Sequence, residues 1–194
     1  MSATVILIRH GQSTFNAHFE ATGDDPGHID ARLTEVGHLQ VASARQLMAN
    51  MPRPDLVIST PLTRALQTTL GIFGDTGVPV EVNGHHREHL ESFCDLGRSP
   101  AELAAEFPGL VFDHLDETWW HNGPVDHRGL PVEPHAVFAD RVESFSHWLA
   151  EHPSAVVAVV GHGAFFRQLT GRGFANCEIV PWSPEVARLG RTPT

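Results

Sequence analysis

Two runs of consecutive apolar residues, Val5 to Ile8 and Ala155 to Val160, frame the 194-residue chain. They are unbroken instead of alternating, and so predict strands covered on both faces. Two weaker runs lie between them, Leu56 to Ile58 and Val78 to Val82, the latter with Pro79 near its start. Helical spacing follows. From Thr34 to Met51 the apolar positions Val36, Leu39, Val41, Ala44, Leu47 and Met48 recur with a period near that of a helix, and Thr34 is a natural N-cap. Further helices are predicted over Leu62 to Phe73, Pro134 to Glu151 and Phe165 to Thr170. Strand and helix in alternation predict a three-layer α/β/α fold, its mostly parallel sheet flanked by helices. No internal repeat or low-complexity linker breaks the chain, so residues 1–194 read as a single domain.

The segment from about Leu90 to His135 departs from this rhythm. It is rich in Pro, Gly, Asp, His and Trp, and predicts a cap or lid inserted over one rim of the sheet. Within it, Trp119 and Trp120 are expected to pack in the cap and not to serve as a substrate platform. Arg98, Arg128, His121 and His127 could each reach a second anionic group on a ligand, but solvated loop charge is the simpler reading of each.

Ligands of such sheets sit at the carboxyl ends of the strands, and those ends carry unusual chemistry here. Arg9-His10-Gly11 follows the first run and Ser59-Thr60-Pro61-Leu62-Thr63-Arg64 the second. His85-His86-Arg87-Glu88 follows the third, and Gly161-His162-Gly163 the last. The 23 acidic and 13 basic side chains set a formal net charge of −10. That surplus argues against nucleic-acid or anionic-membrane binding, and makes arginines gathered at one rim worth explaining. Cys94 and Cys177 form no CxxC pattern and read as reduced thiols of a cytoplasmic protein. The N-terminal apolar run is too short for a signal peptide and has no basic leader, and no run has the length of a transmembrane helix.

An imidazole can attack phosphorus only through a neutral nitrogen, and the unperturbed pKa of histidine is about 6.5. Guanidinium groups beside His10 disfavour the imidazolium. The same groups can grip phosphoryl oxygens and stabilise the charge spread over them during transfer. Arg9 and Arg64 suit both tasks. Taken singly, Arg64 could be a helix-surface ion pair and His162 a satisfied loop histidine. His85, His86 and His89 invite a zinc reading, but lack an HExxH pattern or a cysteine partner.

With Arg9 to Asn16, Leu33-Thr34-Glu35-Val36-Gly37, Ser59 to Thr68, Arg87-Glu88 and Gly161-His162-Gly163 in this order, the chain resembles the histidine phosphatase superfamily, in its phosphoglycerate mutase-like branch. The likeness runs from Ile6 to about Thr170 with a gap over the cap. It implies that His10 is the nucleophile that becomes phosphohistidine and that His162 contacts the transferred group. It further implies phosphate contacts from Arg9, Arg64, Ser13 and Asn16. The first amides of the last helix, beginning at Gly163, are open to a phosphoryl oxygen. Glu88 matches the acid that protonates the leaving oxygen and later deprotonates water; Glu91 is its rival, and a structural salt bridge the alternative role for Glu88. No metal and no cofactor are expected, because the arginines supply the positive charge. The implied activity is hydrolysis of a small phosphomonoester. A phosphoglycerate mutase and a catalytically idle phospholigand-binding module are the alternatives. The short chain with a modest cap favours the phosphatase. So does the segment Glu91 to Gly97, which departs from the usual mutase sequence after the acid. The substrate itself and the oligomeric state are not legible.

Overall fold

The computed structural model describes residues 4–152 and 154–183. Residues 1–3, on which part of the leader argument rests, and the far end of the 1–194 range lie outside them. Five strands form one sheet: β1 (Thr4–Arg9), β2 (Leu56–Ser59), β3 (Val80–Val82), β4 (Val156–Gly161) and β5 (Ile179–Trp182). Their order is β3-β2-β4-β1-β5, with β1 to β4 mutually parallel and β5 antiparallel to β1. The helices are α1 (Thr14–Thr22), α2 (Glu35–Met48), α3 (Thr63–Phe73), α4 (Pro100–Glu106), α5 (His135–Ala150) and α6 (Gly163–Thr170).

The unbroken apolar runs explain the layering. Successive strand residues point to opposite faces. Ile6 and Ile8 pack with Val41, Ala44 and Met48 of α2 and Ala65 and Ile72 of α3. Val5 and Leu7, from the same strand, pack with Phe138 and Phe145 of α5 and Phe165 and Phe166 of α6. Each face of the sheet is thus closed by its own pair of helices. Burying one phenylalanine of this size contributes about 2–3 kcal/mol by transfer alone.

The segment from Leu90 to His135 is tied down by a third cluster. Leu103, Phe107, Phe112 and Trp119 bury against Leu62, which precedes α3, Leu66 of α3 and Val82 of β3. Trp119 is in this packed layer and its indole nitrogen donates to the Arg98 carbonyl at 2.9 Å, while Trp120 packs edge-on against it. Of the apolar helix positions read from the sequence, three are corrected. Val36, Leu39 and Leu47 are exposed, at 50, 70 and 61%. The buried face of α2 runs instead through Gly37, Val41, Ala44 and Met48, because Gly37 is pressed against the loop that follows β1. A side chain at Gly37 would meet the Gln12 carbonyl oxygen at 2.2 Å, so only glycine permits that contact. The strand expected over Val78 to Val82 shortens to its last three residues.

Three elements have no counterpart in the hydrophobic pattern. Helix α1 buries no residue, and is started by a reciprocal Ser13–Asn16 capping box. Helix α4 carried its own signal: Ser99, then Pro100, then Glu102 as capping-box partner. Strand β5 is an edge strand with Pro181 on it, the place where a sheet tolerates proline.

Candidate active site

The site begins with strand register. Arg9 of β1 lies beside Gly161 of β4, so the residues that follow, His10 and His162, leave adjacent parallel strands side by side. Their ring centroids are 5.2 Å apart. Ser59 of β2 lies beside Val160 of β4, which brings Thr60 to His162: hydroxyl and Nε2 are 2.7 Å apart. Arg64, in the first turn of α3, reaches the same point.

His10 is buried, and its Nδ1 lies 2.7 Å from the Gly11 carbonyl oxygen. A carbonyl can only accept, so Nδ1 carries the proton and Nε2 holds the lone pair. Arg64 Nε donates to that Nε2 at 3.3 Å. Burial, followed by the charges of Arg64 and Arg9, holds the His10 pKa well below 6.5. Burial, then Arg64 and His10, do the same for His162. Both rings are neutral at physiological pH. Two buried polar atoms here have no hydrogen-bond partner, Arg9 Nε and His162 Nδ1. An unpaired buried donor is costly, and an anion is what would satisfy the Arg9 guanidinium.

Around these groups lies a cavity of about 160 Å³ lined by Arg9, His10, Ser13, Asn16, Arg64 and Glu88, with Phe15, Glu91, Ser92, Cys94 and Asp95 among its other walls. Of the residues implicated by sequence, all but His162 and Gly163 line it, and His162 is fully buried beside His10; several are engaged in unforeseen ways. Ser13 and Asn16 cap α1 through each other. Asn16 Oδ1 also accepts from Asn176 at 3.3 Å. The carboxylate of Glu88 takes the amides of Ala164 and Phe165 at 3.0 and 2.9 Å, and the amide of His89 at 3.0 Å. It sits over the N-terminus of α6, where the helix dipole favours an anion. The opening expected for a phosphoryl oxygen along that turn is thus partly filled by Glu88, with Gly163 ahead of it. Arg9 packs so close to Gly163 that a Cβ there would stand 3.2 Å from its Nε.

Sequence reasoning missed Asp95. Buried in the cavity wall, it accepts from Arg64 Nη2 at 2.9 Å, while the Cys94 carbonyl accepts from Nη1 at 2.6 Å. Burial pushes the Asp95 pKa up to about 6, against the pull of Arg64. Also missed was the support beneath Glu88. Arg141 of α5 donates to the carbonyls of His85, Arg87 and Glu88 and to both oxygens of buried Glu133. Arg87 joins the same carboxylate at 3.1 Å. A third unseen acid is Asp30, which accepts from the amide and hydroxyl of Thr63 at 2.7 and 2.5 Å. It caps α3 from outside the helix, where Leu62 offers no side-chain cap, and so fixes the turn that bears Arg64. Asp95 alone of the three carries a local signal, as the capping-box partner of Ser92; the arginine or threonine that each acid engages lies 30 or more residues away in chain or on another element.

The three histidines weighed as zinc ligands separate. His86 is buried against Phe145 with Nε2 donating to the Val160 carbonyl. His89 stacks on Phe138, and His85 is exposed. Among the described residues no group of three or more His, Cys, Asp or Glu side chains converges as metal ligands do. Of the cations weighed for a second anion, Arg98 is spent on Asp30 and Glu106. Arg128 pairs with Asp126. A larger groove of about 780 Å³ runs between β3 and Val111 to Trp119. It contains neither His10 nor an arginine of the clamp, so the chemistry places the site in the smaller cavity.

The chain is similar to known proteins. The family described as the histidine phosphatase superfamily, branch 1, matches residues 5–179. The glucosyl-3-phosphoglycerate phosphatase of Mycobacterium tuberculosis is 28% identical over 169 residues, covering 86% of this chain and 73% of that one. A 2,3-bisphosphoglycerate-dependent phosphoglycerate mutase of Chelativorans sp. is 41% identical over 121 residues, 61% of this chain and 52% of its own. The solved structure of the alpha-ribazole phosphatase of Shigella flexneri shares the fold, with a TM-score of 0.58 at 24% identity over 84% of this chain and 75% of that one. With the histidine after β1 and the arginine of α3 lining one cavity, and the histidine after β4 packed against the first, the chain belongs to branch 1 of the histidine phosphatase superfamily.

Proposed function

We propose that the protein is a metal-independent phosphatase that hydrolyses a small phosphomonoester through a phosphohistidine on His10. The observation that carries this reading is the lone pair of His10 Nε2, on a neutral ring that lines a cavity together with Arg9 and Arg64 and packs against His162.

The steps follow from these atoms. Arg9, Arg64 and His162 hold the phosphoryl oxygens, with Ser13 and Asn16 in the wall of the pocket and Gly163 next to its lining residue Ala164. His10 Nε2 attacks phosphorus. The ester P–O bond breaks, its electron pair leaves on the alcohol oxygen, and protonated Glu88 supplies the proton. Water then attacks the phosphohistidine and gives a proton back to Glu88. The N–P bond breaks, its electrons return to Nε2, and inorganic phosphate departs. Glu91 is less suited to the acid role: it is exposed and faces His89 Nδ1 at 3.3 Å. The relatives named as phosphatases act on phosphorylated small molecules, which supports the same class of substrate here. Residues 90–135 serve as the cap that sets selectivity within a single domain. Two free, buried thiols fit a reducing cytoplasm.

Acid-labile, base-stable phosphate on the peptide containing His10 is expected after quenching enzyme and nitrophenyl phosphate with base. His10→Ala is expected to lose both label and turnover while remaining folded. An active His10→Ala protein would overturn the mechanism. Rapid interconversion of phosphoglycerates with negligible phosphate release would replace the phosphatase with a mutase, and tight phosphate binding without turnover would indicate the idle module.

A further inference from the structure

The cavity that holds His10 has an uneven charge. Its two arginines, Arg9 and Arg64, face the phosphoryl position, and one of them is already balanced by Asp95. Its remaining charged walls are Glu88, Glu91 and Asp95. The nearby cations are spent elsewhere. Arg98 is held by Asp30 and Glu106 at 2.7 and 2.9 Å, and Arg87 and Arg141 share Glu133 at 3.1 and 2.6 Å. His89 directs Nε2 to the Glu133 carbonyl and Nδ1 to Glu91. Among the described residues, no unspent cation remains at this mouth for a second negative group.

We propose that the site selects phosphomonoesters whose alcohol part bears no negative charge, with amino-alcohol phosphates favoured, and that Glu91 and Asp95 make it reject phosphoglycerates. This rests on the phosphatase reading. A phosphoglycerate would carry its carboxylate toward Glu91 and Ser92, beside two further acids. Like charges repel most strongly in the buried part of the cleft, where Asp95 lies, and less at Glu91, which is 62% exposed. An alcohol or ammonium group at the same place meets Asn16, Ser92 and Glu91, which can accept its hydrogen bonds. The protein's net charge of −10 acts in the same direction at longer range.

The test compares glycerol 3-phosphate with 3-phosphoglycerate, which differ chiefly by a hydroxymethyl group in place of a carboxylate, and adds phosphoethanolamine and nitrophenyl phosphate. Phosphate release is measured at pH 8, where the phosphoryl groups are dianions. The expected kcat/KM for 3-phosphoglycerate is about tenfold or more below that for glycerol 3-phosphate, with phosphoethanolamine the best of the three. Glu91→Gln should narrow the first ratio several-fold and Glu91→Arg close or invert it; the ratio is read within each variant, so a shared loss of activity cancels. Nitrophenyl phosphate turned over while 3-phosphoglycerate matches or exceeds glycerol 3-phosphate would overturn the selectivity alone. No turnover of any of the four would overturn the phosphatase reading, and the selectivity with it.

Discussion

At the scale of single residues, the proposed site would work by keeping imidazoles neutral. Burial and two guanidinium groups push His10 well below its ordinary pKa, and the attacking form is the deprotonated one. The sign is therefore that activity persists as pH falls through 6.5, with no loss of kcat/KM from His10 in that window. A half-maximal fall centred near 6.5 would contradict the burial seen here. Asp95 acts on the other side. Its pKa of about 6 means that it becomes fully anionic above neutrality and then competes with the phosphoryl group for Arg64. Glu88 is the second residue-scale test. Glu88→Gln keeps its size and an acceptor for the α6 amides while deleting the acid. General acids contribute about a hundred- to ten-thousandfold. A loss of that order is expected for alkyl phosphates, and a much smaller one for enzyme phosphorylation by nitrophenyl phosphate, whose leaving group needs no proton. Equal single-turnover losses for both would make Glu88 a brace for α6 and direct attention to Asp95.

At the scale of elements, catalytic geometry depends on backbones in contact. The loop after β1 is pressed on α2 through Gly11 and Gly37. A Cβ at Gly11 would lie 2.8 Å from the Gly37 oxygen, and one at Gly37 would lie 2.2 Å from the Gln12 oxygen. Neither neighbour is a side chain that can swing away. Gly37→Ala must therefore move the His10 loop or α2, at a cost of about 1–3 kcal/mol typical of overpacking. The expected outcome is a lower urea midpoint together with a fall in kcat larger than that for an exposed control such as Gly109→Ala, where a Cβ meets nothing within 4 Å. Unchanged kcat in Gly37→Ala would mean that the loop tolerates the shift. This glycine stood in a block recognised from sequence, but its purpose was visible only when the two backbones met.

At the scale of the whole molecule, three buried neutral histidines couple stability to pH. His10 and His162 lie well below 6.5, and His86 is lowered to about 3 by burial. When the chain unfolds they regain the ordinary value of about 6.5. Below that pH the unfolded chain binds protons that the folded one refuses, so stability present above 6.5 is lost as pH falls. Asp95 opposes them: with a folded pKa of about 6 against 3.8, it favours the folded state as pH falls from 6 toward 4. Three protons on one side and one on the other leave a net difference of about two. Stability should therefore fall between pH 6 and 5. Urea midpoints measured at the two pH values check this, and an unchanged midpoint would show that these rings are solvated in solution.

The unbroken apolar runs of β1 and β4 determined a sheet buried on both faces, because that pattern has one stable use. The residues following those runs located the rim where His10, Arg64 and His162 meet. Such signals are short-ranged: strand burial, helix period and turn chemistry are each written within about a dozen neighbouring positions. What only the tertiary structure decided spans elements. The register of Arg9 against Gly161 set two histidines side by side. Asp95 crossed from the cap to Arg64, Asp30 capped α3 from a distant loop, and Arg141 reached back to carry the backbone around Glu88. Helix α1, with no buried residue, left no apolar stripe to see. Val36, Leu39 and Leu47 look like core residues in the linear pattern and face outward. The physical reason is common to all of these. Hydrophobic periodicity tells which side of an element is apolar, whereas the partner of a buried charge and the face a helix turns inward depend on where another part of the chain has come to lie.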